Sequence, residues 1–258
     1  MSSPSVKRSE ALLVVEDLSF AYLEQSPVLT AVSFSLDSGA FLGLAGANGS
    51  GKSTLLDLLA GLQTPTAGRI TLAGRQAPDR LRRRTALVPQ NVDHWILGAT
   101  AREDLELSLE RAAFDEGEPP DSLADLAERW GLTAFLDRPA EELSLGCKKR
   151  LALAGALARS PELVLLDEPF AGLDWPGMLA LTEDLGRLRA QGRAVAAATH
   201  EPALVAHLAD SWLLLKPGQS LWAPAAEALP RLAEFGARPL AAAETLKTAA
   251  LKGPSVAT

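Results

Sequence analysis

The residues with the most chemical content lie in Gly46-Ala47-Asn48-Gly49-Ser50-Gly51-Lys52-Ser53, which follows the spacing G-x-x-x-x-G-K-[ST]. Glycines in such a run let consecutive backbone N–H groups converge on one point, and a helix beginning there adds the positive end of its dipole. A phosphate suits that point. Lys52 would reach β- and γ-phosphates as a point charge, and the Ser53 hydroxyl would sit on Mg²⁺. Asn48, Gly49, Ser50, Gly51 and Thr54 would complete the cradle. A second constellation is Leu163-Val164-Leu165-Leu166-Asp167-Glu168, an apolar run that delivers two carboxylates side by side. Neighbours on a strand point to opposite sides, so the two acids are expected to have different tasks. Asp167 would orient the Mg²⁺ and its waters. Glu168 would polarise the water that attacks the γ-phosphate, the positioning and electrostatic work that phosphoryl transfer demands.

These groups need elements to hold them. Ala40 to Ala45 is a short apolar run of strand type and Thr54 to Ala60 carries leucines at helical spacing, so the order around Lys52 is strand, glycine loop, helix. Upstream, Leu12 to Val15 and Leu29 to Leu36, separated by Glu24-Gln25-Ser26-Pro27, read as antiparallel strands. Downstream come a turn over Thr64 to Gly68, a strand over Arg69 to Leu72, a solvated helix over Arg80 to Arg84 and a strand over Thr85 to Val88 that ends at Pro89-Gln90. From about Asn91 to Ser160 the pattern is helical, with Leu105, Leu109, Leu126, Trp130 and Leu132 among its apolar positions and a break at Glu116-Gly117-Glu118-Pro119-Pro120. Beyond the Leu163 strand, a helix is expected over Trp175 to Ala190 and a strand over Arg193 to Thr199. Strands alternating with helices imply a largely parallel sheet with ligands at the carboxyl ends of its strands.

Composition narrows the setting. With 258 residues, 47% hydrophobic and 22% charged, the chain can bury a large core as one domain or one domain with a subdomain. The single cysteine, Cys147, excludes an internal disulfide framework and a clustered-cysteine metal site, and fits a reducing compartment. A net charge of −7 argues against a surface that coats nucleic acid. No secretory leader is expected, and no stretch reaches the roughly 18 to 20 uncharged apolar residues of a membrane span. A membrane role would therefore come through a partner. The Ala-rich tail, 241–258, is expected to be frayed or disordered.

The motifs resemble those of the ATP-binding cassette (ABC) ATPases across nearly the whole chain. Leu143-Ser144-Leu145-Gly146-Cys147 looks like the family signature L-S-G-G-Q, and Gln90 fits the Q-loop. Ala171-Gly172-Leu173-Asp174 fits the D-loop and Thr199-His200-Glu201 the switch histidine, while Tyr22 stands where the family has an aromatic that stacks on adenine. The resemblance implies an α/β fold, a P-loop NTPase of ABC type, with a mostly parallel sheet core, an antiparallel β subdomain and an inserted helical subdomain. A single domain would span 10–240, with a RecA-like core at 10–90 and 160–220 and the helical part at 91–159.

The resemblance further implies ATP and Mg²⁺ as cofactors. Lys52, Gln90, Glu168 and His200 would be catalytic, with Ser53, Gln90 and Asp167 at the metal, and Ser144 and Gly146 would contact nucleotide across a dimer in which Asp174 communicates. A strand-end imidazole at His200 can hydrogen-bond a γ-phosphate oxygen, and a strand-end Gln90 can offer its carbonyl to Mg²⁺. The implied partners are a second ABC ATPase subunit, identical or not, and a transmembrane transporter subunit. Such a chain would lie peripherally on the cytoplasmic face of the membrane, with no nucleic acid bound. Two other functions remain in view: a catalytically weak nucleotide-binding regulator, and a soluble ABC ATPase not tied to transport.

A narrower likeness lies in Val88 to Leu97 with Thr100, Glu103 and Asp104. It is similar to the F-Q-N-P-D-D-Q-L-F…T-V-x-E-D-V stretch of the ATPases of energy-coupling-factor importers of metal ions and vitamins. Gln90, Asn91, Asp93, Leu97, Thr100, Glu103 and Asp104 fit, whereas Pro89, Val92, His94 and Trp95 depart. Residues after Gln90 would then face a membrane subunit, with Trp95 and Ile96 as apolar contacts. In the signature, Leu145 and Cys147 replace Gly and Gln: the leucine is expected to crowd an approaching phosphate, and the cysteine lacks an amide. If the second subunit differs, the two composite sites are unequal and the one built on this chain's loop is the faster. If it is identical, the enzyme is slow.

Overall fold

The computed structural model describes residues 11–23, 26–76, 78–116 and 121–240. Glu24 and Gln25 of the expected turn, residues 117–120 of the helical break and the tail 241–258 lie outside the described residues. The alternating runs at the start form β1 (Leu13–Phe20) and β2 (Leu29–Leu36), an antiparallel pair with Val15 opposite Phe34. β3 (Phe41–Gly46) is buried at all six positions, as befits a central strand covered on both faces. α1 (Lys52–Leu59) follows it directly and buries Leu55, Leu56, Leu58 and Leu59. β4 (Ala67–Leu72) joins the free side of β1, which completes a three-stranded sheet ordered β2-β1-β4. α2 (Pro78–Arg84) ends in Arg82, Arg83 and Arg84, cations placed where the helix dipole is negative, and runs into β5 (Thr85–Val88).

The helical stretch comprises α3 (Ala101–Glu116), α4 (Leu123–Arg129) and α5 (Leu145–Leu157). A reciprocal Ser122–Asp125 capping box starts α4. There follow β6 (Leu163–Asp167), α6 (Trp175–Ala190), β7 (Ala194–Ala198), α7 (Pro202–Val205), β8 (Ser211–Lys216), β9 (Gln219–Pro224) and α8 (Ala225–Ala228), with a 3₁₀ segment over Leu229–Phe235. Among the described residues, no helix is long and apolar enough to cross a membrane.

The second sheet runs β5-β6-β7-β3-β8-β9, parallel apart from the β8–β9 pair. Its register aligns the strand ends: Val88 lies opposite Leu166, Asp167 opposite Ala198, and Ala198 opposite Leu44. The period of two sends Leu163 and Leu165 of β6 into the core beneath the three-stranded sheet, and Val164 and Leu166 into the core shared with the helices. Gly43 is the register partner of Trp212; a Cβ there would meet the buried indole ring at 2.5 Å, so the missing side chain makes room for the tryptophan.

Candidate functional site

Four adjacent strands, β5, β6, β7 and β3, end at one edge of the sheet, and each delivers a residue that the motifs single out. β3 delivers the glycine loop. Gly46, Gly49 and Gly51 have φ of 155°, 75° and 96°, and a Cβ at Gly46 would come 2.1 Å from the Leu215 carbonyl oxygen. Backbone of this shape needs glycine. Lys52 folds back so that its ammonium donates to the carbonyls of Gly46 and Ala47 at 3.0 and 3.1 Å. Burial lowers its pKa, while the carboxylates of Glu168 and Asp167 pull the other way. Asn48, Gly49 and Ser53 are exposed, whereas the Ser50 hydroxyl is buried without a hydrogen-bond partner. Behind the loop, the Ala47 N–H donates to the Phe235 carbonyl at 3.0 Å, so the 3₁₀ segment buttresses it.

β6 ends at Asp167, whose Oδ1 is buried and takes no hydrogen bond. Glu168 does not continue the strand: its φ is 46°, in the left-handed region. The alternation expected to separate the two acids therefore stops at Asp167, and a turn rather than the pleat gives Glu168 its direction. The Glu168 side chain meets β7's end, where its Oε2 accepts the His200 N–H at 3.0 Å and its Oε1 lies 3.2 Å from His200 Nε2. Burial pushes the Glu168 carboxyl up; the His200 N–H, the His200 ring and Lys52 oppose it. The His200 side chain remains 45% exposed, free to meet an incoming group. Gln90, also exposed, follows Val88 by two residues just as Glu168 follows Leu166, which puts both at the same edge on neighbouring strands. Tyr22 presents an exposed ring, packs edge-on to Phe20 at 4.9 Å and shares a 3.1 Å hydrogen bond with Thr54 Oγ1. Sequence reasoning missed Asp57 on α1, whose carboxyl is pushed up by burial and by Asp167. Its only trace was one acid among four leucines.

The signature opens α5. Ser144 caps the helix, accepting the Cys147 N–H on Oγ at 3.3 Å, which leaves its hydroxyl proton free to donate outward. Leu145, expected to crowd an approaching phosphate, is half-buried. It packs on the core, and its Cδ2 would lie 2.7 Å from a Cβ at Gly172, so it leans onto the D-loop. Cys147 is buried in the same core. Asp174 caps α6 by accepting the Gly177 N–H at 3.0 Å. A second residue that the sequence did not reveal is Lys149, buried two positions beyond Cys147.

The loop after Gln90 is held by its acids. Asp104 Oδ1 accepts the N–H groups of Leu97 and Gly98 at 2.7 and 3.1 Å, and Glu103 Oε2 that of Ala99 at 2.9 Å. The Glu-Asp pair is thus a loop clamp at the start of α3. It leaves Trp95 and Leu97 exposed, 48% and 70%, beside a cavity of about 460 Å³ lined by Leu107, Arg111, Ala152 and Arg159. Ile96, expected alongside Trp95, instead turns inward against the core.

A family model described as ABC transporter matches residues 29–171. The cobalt import ATP-binding protein CbiO of Rhodobacter capsulatus is 37% identical over 238 residues, 88% of this chain and 85% of its own length. The energy-coupling factor transporter ATP-binding protein EcfA2 of Methanospirillum hungatei is 33% identical over 216 residues, 81% of this chain and 54% of its own. Among solved structures, cbiO1 of Clostridium perfringens, part of the ABC transporter complex cbiONQ, matches with a TM-score of 0.77 at 27% identity, covering 96% of this chain and 97% of that one. The chain belongs to the ABC transporter family and has the ATPase fold of that family.

Proposed function

We propose that this chain is an ATPase subunit that closes into a dimer on ATP, reopens on hydrolysis and so drives a membrane importer of the energy-coupling-factor type, for a metal ion or a vitamin. The observation that carries the reading is the convergence of Lys52, Asp167, Glu168 and His200 at one sheet edge. Lys52 would exchange its two loop carbonyls for β- and γ-phosphate oxygens. Glu168 would accept a hydrogen bond from an O–H of the attacking water, and His200, already on that carboxylate, would turn to a γ-phosphate oxygen. The unpartnered oxygens of Asp167 and Ser50 fit a hydrated cation and a triphosphate. Such a cation would be Mg²⁺, which keeps much of its coordination in water and phosphate. Ser53 and Gln90 would hold that ion and Asp167 its waters; when bound, it neutralises charge on the β- and γ-oxygens. Tyr22 would stack on adenine.

The Ser144 hydroxyl, Gly146 and the N-terminus of α5 would face the nucleotide of a second ABC ATPase subunit, identical or not, with Asp174 at the junction. Trp95 and Leu97 would meet a transmembrane subunit, keeping the chain peripheral on the cytoplasmic face. The loop clamp at Glu103 and Asp104 and the likeness to CbiO and EcfA2 support the importer type. No nucleic acid enters this reading, in keeping with the net charge of −7.

The test is ATP turnover by the chain assembled with its membrane subunits. Glu168→Gln should lower turnover at least about 100-fold while ATP binding persists; retention of most activity would move the competent site to the partner ATPase. A second reading, a nucleotide-binding regulator, is favoured only by Leu145 and Cys147 in the signature, and tight binding without turnover in the assembled wild type would establish it.

A further inference from the structure

Lys149 is 3% exposed, and its ammonium donates to three backbone carbonyls, those of Glu168 at 3.2 Å, Pro169 at 2.6 Å and Ala171 at 2.9 Å. All three belong to the loop from β6 to α6, which begins with the acid assigned above to the attacking water. Three acceptors take three N–H donors, and among the forms of a lysine only the ammonium has them. One turn earlier on the same face of α5, Leu145 leans onto Gly172 of that loop, and Leu173 lies beside Gly146. Glu168 needs such a hold, because its φ of 46° lies in the left-handed region, where the Cβ of a non-glycine residue is crowded.

We propose that Lys149 is a positioning residue for hydrolysis. Its ammonium clamps the Glu168–Ala171 loop to the helix that Ser144 opens. The orientation of Glu168 in this chain's own site is thereby tied to the contact that α5 makes with the partner's nucleotide. Leu145, the departure from the signature, is the second jaw of the same clamp. The kinetic consequence rests on the ATPase reading above; the anchoring does not.

Two measurements on the full chain keep those apart. Hydrogen exchange reads the loop through the amides of Ala171 and Leu173, which donate to the carbonyls of Glu168 and Phe170 at 3.1 Å each. Turnover in the assembled transporter reads kcat and KM for Mg-ATP. Lys149→Met removes every donor, Lys149→Gln keeps two, and Lys149→Arg restores a cation with several. In Lys149→Met and Lys149→Gln, exchange at Ala171 and Leu173 should rise at least tenfold while β6 stays protected. kcat should fall at least tenfold with KM within twofold, and Lys149→Arg should recover most of both. Should Lys149→Met fail to fold, Lys149→Gln against Lys149→Arg decides. Unchanged loop exchange in the neutral variants overturns the clamp, as does a parallel loss of kcat and nucleotide binding with general loss of protection, the mark of a merely structural lysine. Loop exchange that responds as expected in a wild-type complex with no ATP turnover would uphold the clamp and sink the ATPase reading instead.

Discussion

The phosphate loop and the signature are both glycine-bearing turns that open a helix, but only the first keeps every residue its motif demands. The difference follows from what makes the contact. In the loop the backbone would: Gly46, Gly49 and Gly51 all have positive φ, and a side chain at Gly46 would run into the Leu215 carbonyl. At the signature Leu145 and Gly146 already lie in α5, where positive φ is not required, and in the proposed reading the contact group would be the Ser144 hydroxyl with the helix N-terminus. Leu145 and Cys147 turn toward the core and the D-loop rather than outward. A motif held by backbone shape fixes its residues; one held by a cap leaves its neighbours free to acquire a packing role.

The largest contrast should come from removing the charge in the strict half. Lys52→Ala deletes the cation aimed at the phosphates, so calorimetry with Mg-ATP should show affinity reduced at least about 100-fold, roughly 3 kcal/mol. An undiminished heat of binding would mean that the glycine loop is not the nucleotide site. Next in size is Leu145→Gly, which restores the family residue in the tolerant half. It should destabilise the chain by about 2 kcal/mol in urea unfolding, through lost packing on Gly172 and the helix propensity of glycine, and turnover should not rise, because one jaw of the clamp on the Glu168 loop is lost. A large gain in turnover at unchanged stability would show that the leucine does crowd the phosphate. Ser144→Ala then removes the hydroxyl on which the tolerant half relies. It should lower turnover about tenfold in a homodimer, near 1.4 kcal/mol, without weakening binding to the chain's own loop. No change at all would shift the signature's work to the backbone.

How far this contrast was legible beforehand depends on locality. The Trp175 to Ala190 helix and the Thr85 to Val88 strand coincide with the expected spans, since Asp174 and Pro176 mark one start and an apolar run closed by Pro89-Gln90 marks the other. β8 and β9 went unread: Trp212 to Leu215 is a fully buried run whose periodicity does not separate strand from helix, and the Pro217-Gly218 turn was its one local sign. At the site, the glycine loop, Gln90, Asp167, Glu168 and His200 follow the ends of four neighbouring strands, whereas Ser144 and Asp174 cap α5 and α6. Asp57 and Lys149 did not announce themselves, because what they touch is set by helices packing on strands far away in sequence. Nor did the left-handed turn at Glu168, which has neither glycine nor asparagine to signal it.

The smallest effect, and the finest probe of the tolerant half, is the pH response of the buried cation. Burial lowers Lys149 from its ordinary 10.5 to about 8, with Glu168 as the opposing charge; on the same helix Lys148 is paired with Asp93 and Arg150 faces Asp184 and Cys147. Below pH 8 both the folded and unfolded chains hold the proton, and the folded one bears the full cost of a buried charge. As the pH climbs past 8 the folded chain releases it first, the unfolded chain then binds more protons, and stability from this group rises with pH. The slope is at most about 1.4 kcal/mol per pH unit, and the three carbonyls that hold the ammonium reduce it. Urea unfolding at pH 8 and pH 9 should therefore show wild type gaining up to about 1 kcal/mol relative to Lys149→Met, whose side chain carries no proton to lose. Lys52 responds in the same sense but is common to both proteins and cancels. Equal slopes would mean that the lysine keeps its proton throughout, so that the carbonyls outweigh burial and the clamp stays closed at high pH. A steep relative gain accompanied by faster exchange at Ala171 and Leu173 would mean that the clamp opens as the charge leaves, which would add a pH-sensitive element to the signature half.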